Sequence, residues 1–360
     1  MYIAVPIACV DESVGRFDRS SLSQQSLMEL FIFGLNMASD ICGSRENPDE
    51  VCEWTGVKCN SDMEVEAFTW FFKNEHESGT LRFQYLPFSM KLLNMSSNAL
   101  HGTIELADIP DAMECIDLSL NYLTGSVNLD ILPSALQGLD FGGNKFHGEI
   151  SFKNLPEGLR KLNLYRNQLS GTIRLIEIPP TLECLNLSEN QFKGFLHFRK
   201  RTESRIFINR KSLYLDENQL AGSLELDNLP CSLQNVDLSR NEFTGGISLN
   251  QLPAGLKQLK LFRNQLSGTI CLTQLPPALE YLHLNKNNFE GSLDLTRLPD
   301  SLKEFRASDN FFSGSIDFGH LPMNIRQLVI FNNKLTGTVR VPPGVHIFLD
   351  GNESLRVEKV

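Results

Sequence analysis

Carboxylates recur at one kind of position in this sequence, and they are the first residues to consider for chemistry. Asp117, Asp140 and Asp237 each stand between two apolar residues. A row of such oxygens suits a divalent cation, although carboxylates on a surface are more often simply solvated. No serine-nucleophile, zinc-protease, paired-carboxylate or glycine-rich phosphate-loop motif accompanies them. We therefore expect no catalytic residue and no metal site, and predict that the protein is not an enzyme.

The cysteines, the histidines and the charge balance exclude several further classes. The eight cysteines lack C-x2-C spacing and the seven histidines are scattered, so neither a metal centre nor a cofactor is expected. The net charge of −10 gives no general attraction for nucleic acid or for an anionic membrane. No apolar run approaches the roughly 20 residues that a transmembrane helix needs.

A fixed period positions most residues of the chain. Its clearest unit is residues 155–177, and the asparagine of that unit recurs along the sequence. Nine of the ten intervals are 23 residues long and one is 28, a regularity that indicates a solenoid of stacked turns. The recurring residues are Asn98, Asn121, Asn144, Asn167, Asn190, Asn218, Asn241, Asn264, Asn287, Asn310 and Asn333.

Each constant position of the unit LP-xx-L-xx-L-x-L-xx-N-x-L-x-G-x-I-x-L has a physical role. Leu162 and Leu164 alternate with outward residues, as a short strand requires. Parallel stacking of such strands buries their leucines in one core that no single turn could form. The asparagine amide can satisfy backbone groups of neighbouring turns. Gly171 suits a positive φ or a close backbone approach.

This pattern resembles the leucine-rich repeat (LRR) over residues 65–352, and it is closest to the plant-type LxGxI class. The LP-xxL opening is also similar to LRR surface proteins of protists, including kinetoplastids. The segment CEWTGVKC, residues 52–59, looks like the CxWxGVxC cap of plant-type LRR proteins. That resemblance implies a disulfide between Cys52 and Cys59, with a reduced pair as the alternative.

The resemblance also implies the architecture. We expect a curved, right-handed LRR solenoid with a parallel sheet on its concave face, irregular short turns on its convex side and a helical N-terminal cap. The expected segments are a leader or disordered region (1–20), a helical and cysteine-containing cap (21–64), a solenoid (65–352) and a charged tail (353–360). The solenoid comprises a degenerate repeat at 65–87, eleven regular repeats and a partial last strand.

The clues to localisation conflict. Residues 1–10 are apolar but short and carry no basic leader, which makes them a poor secretory signal. The cap motif, by contrast, favours an oxidising compartment. Extracellular or cell-surface placement is therefore slightly favoured over cytoplasmic. Three N-x-S sequons, at Asn94, Asn186 and Asn352, could carry glycans after export.

Positions that the repeat leaves free carry the functional information. In the C-terminal two-thirds of the solenoid, aromatic and basic residues occupy outward positions of the expected concave strands, a composition typical of protein-binding hot spots. Scattered exposed aromatics can also lack any function. We name this set the aromatic–basic stripe: Tyr165, Arg166, Tyr214, Arg240, Lys260, Phe262, Arg263, Tyr281, His283, Arg306 and Phe331.

The 28-residue interval contains a basic insertion within residues 199–211, which is either a second binding element or a tolerated, solvated loop. The resemblance implies non-catalytic recognition of a protein or peptide through the concave face. Two alternatives remain open. One is an LRR-type enzyme inhibitor, similar to the polygalacturonase-inhibiting proteins, and the other is a surface antigen or receptor ectodomain that lacks its anchor.

Overall fold

A small helical cap lies before the solenoid. The structure, a computed structural model, describes residues 19–198 and 211–358. Helix α1 spans Gln24–Ile32 and begins where the Ser23 hydroxyl accepts a hydrogen bond from the backbone N–H of Ser26. Helix α2 spans Ala38–Cys42. The buried Phe31 ring of α1 meets Phe68 edge-on, with 6.2 Å between ring centroids. The cap thus covers the end of the solenoid core.

A disulfide ties the cap to the first strands. Cys52 and Cys59 are bonded, as the cap motif implied. The strand that ends at Cys59 pairs antiparallel with strand Val65–Thr69. Trp54, inside the disulfide loop, is buried, and its indole N–H donates to the carbonyl oxygen of Asp49 over 2.8 Å.

One parallel sheet runs the length of the solenoid, on the side expected to be concave, and we call it the concave sheet. Apart from the antiparallel first pair, its neighbours are parallel and in register, so that Leu162 stands beside Leu185 and Leu185 beside Leu213. Its fourteen strands are Val57–Cys59, Val65–Thr69, Leu92–Asn94, Cys115–Asp117, Gly138–Asp140, Lys161–Asn163, Cys184–Asn186, Ser212–Tyr214, Asn235–Asp237, Gln258–Lys260, Tyr281–His283, Glu304–Arg306, Gln327–Val329 and His346–Phe348.

The middle residue of each concave strand from Leu92–Asn94 to Gln327–Val329 is buried in a single continuous core. Leu162, Leu185 and Leu259 are completely buried. The predicted solenoid is therefore confirmed, and the apolar side chains of adjacent turns bury one another as the period requires. No helix in the described ranges is long and apolar enough to cross a bilayer.

The recurring asparagines form a hydrogen-bonded ladder beneath the surface. The Asn167 amide N–H group donates to the carbonyl oxygens of Phe141 (3.0 Å) and Leu164 (3.1 Å), and its oxygen accepts from the backbone N–H of Phe146 (3.0 Å). One side chain thus satisfies backbone groups of two successive turns. Asn352 repeats this arrangement at the end of the array.

A second parallel sheet follows the ladder, and the sequence analysis did not predict it. Its thirteen strands are Asn74–Gly79, Asn98–Gly102, Tyr122–Gly125, Lys145–Glu149, Gln168–Gly171, Gln191–Phe195, Gln219–Gly222, Glu242–Gly245, Gln265–Gly268, Asn288–Gly291, Phe311–Ser315, Lys334–Arg340 and Ser354–Glu358. Short 3-10 helices lie in the connections back to the concave sheet. They are Phe83–Tyr85, Leu106–Asp108, Leu129–Ile131, Leu175–Glu177 and Leu226–Asn228, with Arg19–Ser21 and Val51–Glu53 in the cap.

The expected charged tail is in fact part of this second sheet. Strand Ser354–Glu358 pairs in parallel with Lys334–Arg340. Leu355 is half-buried, and Glu358 Oε2 forms an ion pair with Arg340 Nε at 2.7 Å. The correction has a physical reason: the unusually long strand Lys334–Arg340 offers five paired positions to the residues that follow Asn352.

Candidate binding surface

Three columns of side chains cover the outer face of the concave sheet. From strand Leu92–Asn94 to strand Gln327–Val329, the first and third residues point outward and the middle one is buried; Tyr281, Leu282 and His283 show this alternation. A further outward position lies two residues past the strand. The next residue, directly before the ladder asparagine, has a positive φ and forms a rim. Every stripe residue occupies one of these positions, and all are half-buried or exposed.

The stripe residues divide into a central group, one residue on each of the two flanking turns, and a separate pair. Seven of them lie on four adjacent turns: Arg240, Lys260, Phe262, Arg263, Tyr281, His283 and Arg306. Phe331 lies on the following turn. Tyr214 is one turn before Arg240, and the pair Tyr165–Arg166 is two turns further back. The structure therefore brings together the middle of the stripe and leaves Tyr165 and Arg166 apart.

The contiguous group is ordered by contacts between turns. Arg240 forms an ion pair with Glu217 on one side, and its guanidinium lies 5.7 Å from the centroid of the Phe262 ring on the other. Lys260 Nζ is 3.3 Å from Asp237 Oδ2. These contacts hold long side chains in defined positions, so less side-chain entropy remains to be lost on binding.

A packed charge cluster follows. His283 Nε2 lies 2.8 Å from Glu304 Oε1, which also pairs with the Arg306 guanidinium. Arg306 additionally donates to Gln327 Oε1 over 3.2 Å. Burial lowers the pKa of His283, although the Glu304 charge opposes this. We therefore expect an uncharged imidazole at neutral pH.

The carboxylates singled out in the sequence are held by donors of this chain. Asp117 accepts from the backbone N–H (3.0 Å) and hydroxyl (2.6 Å) of Ser119. Asp140 accepts from the Asn163 amide and pairs with Lys161 Nζ at 3.1 Å. Asp237 is four turns further on. Within residues 19–198 and 211–358, no three His, Cys, Asp or Glu side chains converge as metal ligands.

Asp216 is a site residue that the sequence analysis missed. It lies two residues past strand Ser212–Tyr214, is half-buried and accepts a hydrogen bond from the Ser188 hydroxyl. Burial, reinforced by the charge of Asp237, raises the pKa of Asp216 to about 6. Its column holds serine, glycine, asparagine or an aromatic residue on the other turns, apart from Asp350 on the last one. The approach of two carboxylates was visible only once the turns were stacked in register.

The N-terminal end of the concave surface exposes large apolar side chains. Phe71 and Phe72 are 57% and 67% exposed, and Leu120 is 51% exposed. Phe72 and Leu120 occupy the positive-φ rim, where large apolar residues are uncommon. The sequence analysis overlooked Phe71 and Phe72 because the first repeat is degenerate. Aligning its strand Val65–Thr69 with Leu92–Asn94 would have placed both residues on the rim side.

The remaining predicted features have different outcomes. Residues 199–210 of the basic insertion lie outside the described residues, and Lys211 pairs with Glu183 at 2.7 Å. Asn94 and Asn186 end concave strands with their side chains half-exposed. Asn352 is buried in the ladder and uses both amide atoms there, so it is unsuited to carry a glycan in the folded protein.

Comparison with solved structures agrees with this geometry. The chain has the leucine-rich repeat fold. The crystal structure of PEPR1–AtPEP1 superposes with a TM-score of 0.60 at 23% identity, covering 93% of this chain and 58% of that one. The Arabidopsis receptor kinase HAESA, in complex with the peptide hormone IDA and the co-receptor SERK1, gives a TM-score of 0.57 at 22% identity, covering 81% and 54%.

A plant ice-binding protein gives a TM-score of 0.55 at 23% identity, covering 81% of this chain and 88% of that one. The chain thus spans little more than half the length of the two receptor structures. At these identities the likeness shows the fold alone. No protein-family model matches the sequence, and no curated protein matches it.

Proposed function

We propose that the protein is a non-catalytic recognition module that binds a peptide or an extended protein segment along its concave sheet. The observation that carries the proposal is the contiguous part of the stripe, from Arg240 to Arg306, displayed on four adjacent turns of a rigid sheet. Aromatic and arginine side chains on a preorganised surface favour tight binding, because little order must be created on association.

The comparisons with solved structures support the proposed recognition function. One of the similar structures, HAESA, is described in complex with a peptide hormone and a co-receptor. The disulfide between Cys52 and Cys59 supports placement of this module in an oxidising compartment. A receptor-type or secreted recognition protein therefore fits the features better than a cytoplasmic scaffold.

Peptide selection against the intact chain tests the proposal. Peptides enriched from a displayed random library would be titrated against wild type and Phe262→Ala. Loss of the Phe262 ring removes an aromatic anchor and the platform beneath Arg240, so we expect affinity to fall by about tenfold or more.

The second sheet offers a matched control. Phe311 is also an exposed aromatic with a cation above it, since Lys334 Nζ lies 5.0 Å from its ring centroid. Phe311→Ala should leave binding unchanged. Equal binding by wild type and Phe262→Ala, or a footprint of the bound peptide confined to the second sheet, would overturn the proposal.

A further inference from the structure

Three cations stand side by side on the rim of the concave surface. Arg240, Arg263 and Lys286 precede the ladder asparagines of three consecutive turns, all with φ between 53° and 59°. Backbone hydrogen bonds connect successive turns, from Arg240 N–H to Phe262 O (2.8 Å) and from Arg263 N–H to Asn285 O (3.0 Å). Their backbones are therefore about 5 Å apart, the spacing of adjacent strands.

The partners of these cations differ. Arg240 is neutralised by Glu217 on the preceding turn. On the turn after Lys286, Asp309 accepts from the Asn332 amide over 2.8 Å. Among the described residues neither Arg263 nor Lys286 forms an ion pair, although ion pairs bridge many other neighbouring turns. Both are exposed.

The surrounding turn reinforces this surplus of positive charge. Residues 257–264 read KQLKLFRN, with three cations and no acid. Of these three, only Lys260 has a carboxylate partner in the described part of the chain, and that partner is Asp237. Two adjacent like charges repel each other, and an anion between them removes that repulsion. The arginine fork matches carboxylate and phosphate geometry. In a protein of net charge −10, this patch stands out as locally cationic.

We infer that the segment bound on the concave sheet presents an anionic side chain, a carboxylate or a phosphate, to Arg263 and Lys286, with an apolar neighbour against Phe262. The inference rests on the proposed function and names the chemistry of its partner. The anionic contact lies on the rim alone, so binding along the sheet can be tested separately.

Three pools of labelled twelve-residue peptides test it on the intact chain by fluorescence anisotropy. One pool carries Asp or Glu at four fixed positions, the second Asn or Gln there, and the third Lys or Arg. We expect the acidic pool to bind at least about tenfold more tightly than the neutral pool, with an affinity that falls as salt rises. A fourth pool with phosphoserine separates phosphate from carboxylate preference.

Charge reversal supplies the decisive comparison. Arg263→Glu/Lys286→Glu should abolish the preference for acidic peptides and raise affinity for the basic pool. Lys145→Glu/Lys334→Glu makes the same change in net charge on exposed lysines of the second sheet, and should retain the preference.

Three results would overturn the inference: equal binding of acidic and neutral pools, an acidic preference that survives reversal at Arg263 and Lys286, or no binding by any pool. If peptides selected from the random library still lose affinity with Phe262→Ala, the proposed function stands while the inference about charge falls. If they are insensitive to Phe262→Ala as well, both fall.

Discussion

At the scale of single residues, the ladder asparagines matter most. Each of them has no equivalent substitute, because one short side chain must donate two hydrogen bonds and accept a third within a closed space. Their positions followed from the sequence period. Their partners followed too, once the turns were assumed to stack in register.

Asn167→Ala should lower the free energy of unfolding by about 2–4 kcal/mol, because it leaves the Phe146 N–H and two buried carbonyl oxygens without their partner. Urea denaturation measures the change. Gln168→Ala, at the exposed neighbouring position, is the control and should cost less than about 0.5 kcal/mol. Similar losses for both variants would contradict the ladder's role.

Asp216 should make stability depend on pH. Its pKa is raised to about 6 in the folded state, above the value near 4 of an unfolded aspartate. The folded protein then binds this proton more tightly, so its contribution to stability is present at low pH and is lost as pH rises through 6. Asp216→Asn removes that loss. We expect the variant to be more stable than wild type at pH 7.5, by on the order of 1 kcal/mol, with the advantage gone near pH 4.

Thermal unfolding from pH 4 to 8 would show this difference. Asp111→Asn, the same change at an exposed position, controls for net charge. A constant gap between Asp216→Asn and wild type across the range would refute the raised pKa.

At the scale of elements, the 23-residue period accounts for ion pairs between turns as well as for the apolar core. Residues one turn apart, 23 positions in sequence, form several of the observed ion pairs, including Glu217–Arg240 and Asp237–Lys260. The sequence could not show which of these residues form ion pairs and which, like Arg263, do not. That depends on side-chain packing across the rim. The second sheet was missed because its strands combine one constant apolar residue with the recurring glycine, as in Gln168–Gly171, and that combination indicates a turn as readily as a strand.

The cap predicts a measurable effect of its disulfide. Cys52→Ser/Cys59→Ser should lower the free energy of unfolding by about 2 kcal/mol, the amount expected for closing a loop of this length. The loss should appear in urea denaturation without reductant, and dithiothreitol should reproduce it in wild type. Cys231→Ser, at an exposed free cysteine, should have no effect. Unchanged stability of the double variant would mean that the cap holds the first strands without the bond.

At the scale of the whole molecule, a solenoid must protect both ends of its sheets. The helical cap covers one end, and the final strand Ser354–Glu358 lies against Lys334–Arg340 at the other. The sequence predicted the first arrangement through a recognisable motif. It did not identify the charged segment at the other end as a strand, because a short charged segment has no composition that distinguishes a strand from a solvated tail.

Removal of residues 354–360 from this chain should expose the seven-residue strand Lys334–Arg340 as an unpaired edge. Such edges promote pairing between chains. We expect a larger apparent mass in light scattering and faster hydrogen exchange at residues 336–340 than in the full chain. Arg356→Ala, which keeps the backbone pairing, should behave like wild type. Unaltered exchange and mass after truncation would show that the strand protects nothing.

The rim positions before the ladder asparagines limit how the binding surface can evolve. Its backbone angle is imposed by the turns on either side, and residues as different as Ser97, Leu120, Glu189 and Arg263 adopt it, while Gly143 does so without strain. A side chain there costs roughly 1 kcal/mol relative to glycine. Exchanging Arg263 for glycine would therefore raise the free energy of unfolding and lower the affinity for the partner. Selection for stability therefore favours glycine at these rim positions, whereas selection for binding favours residues with side chains.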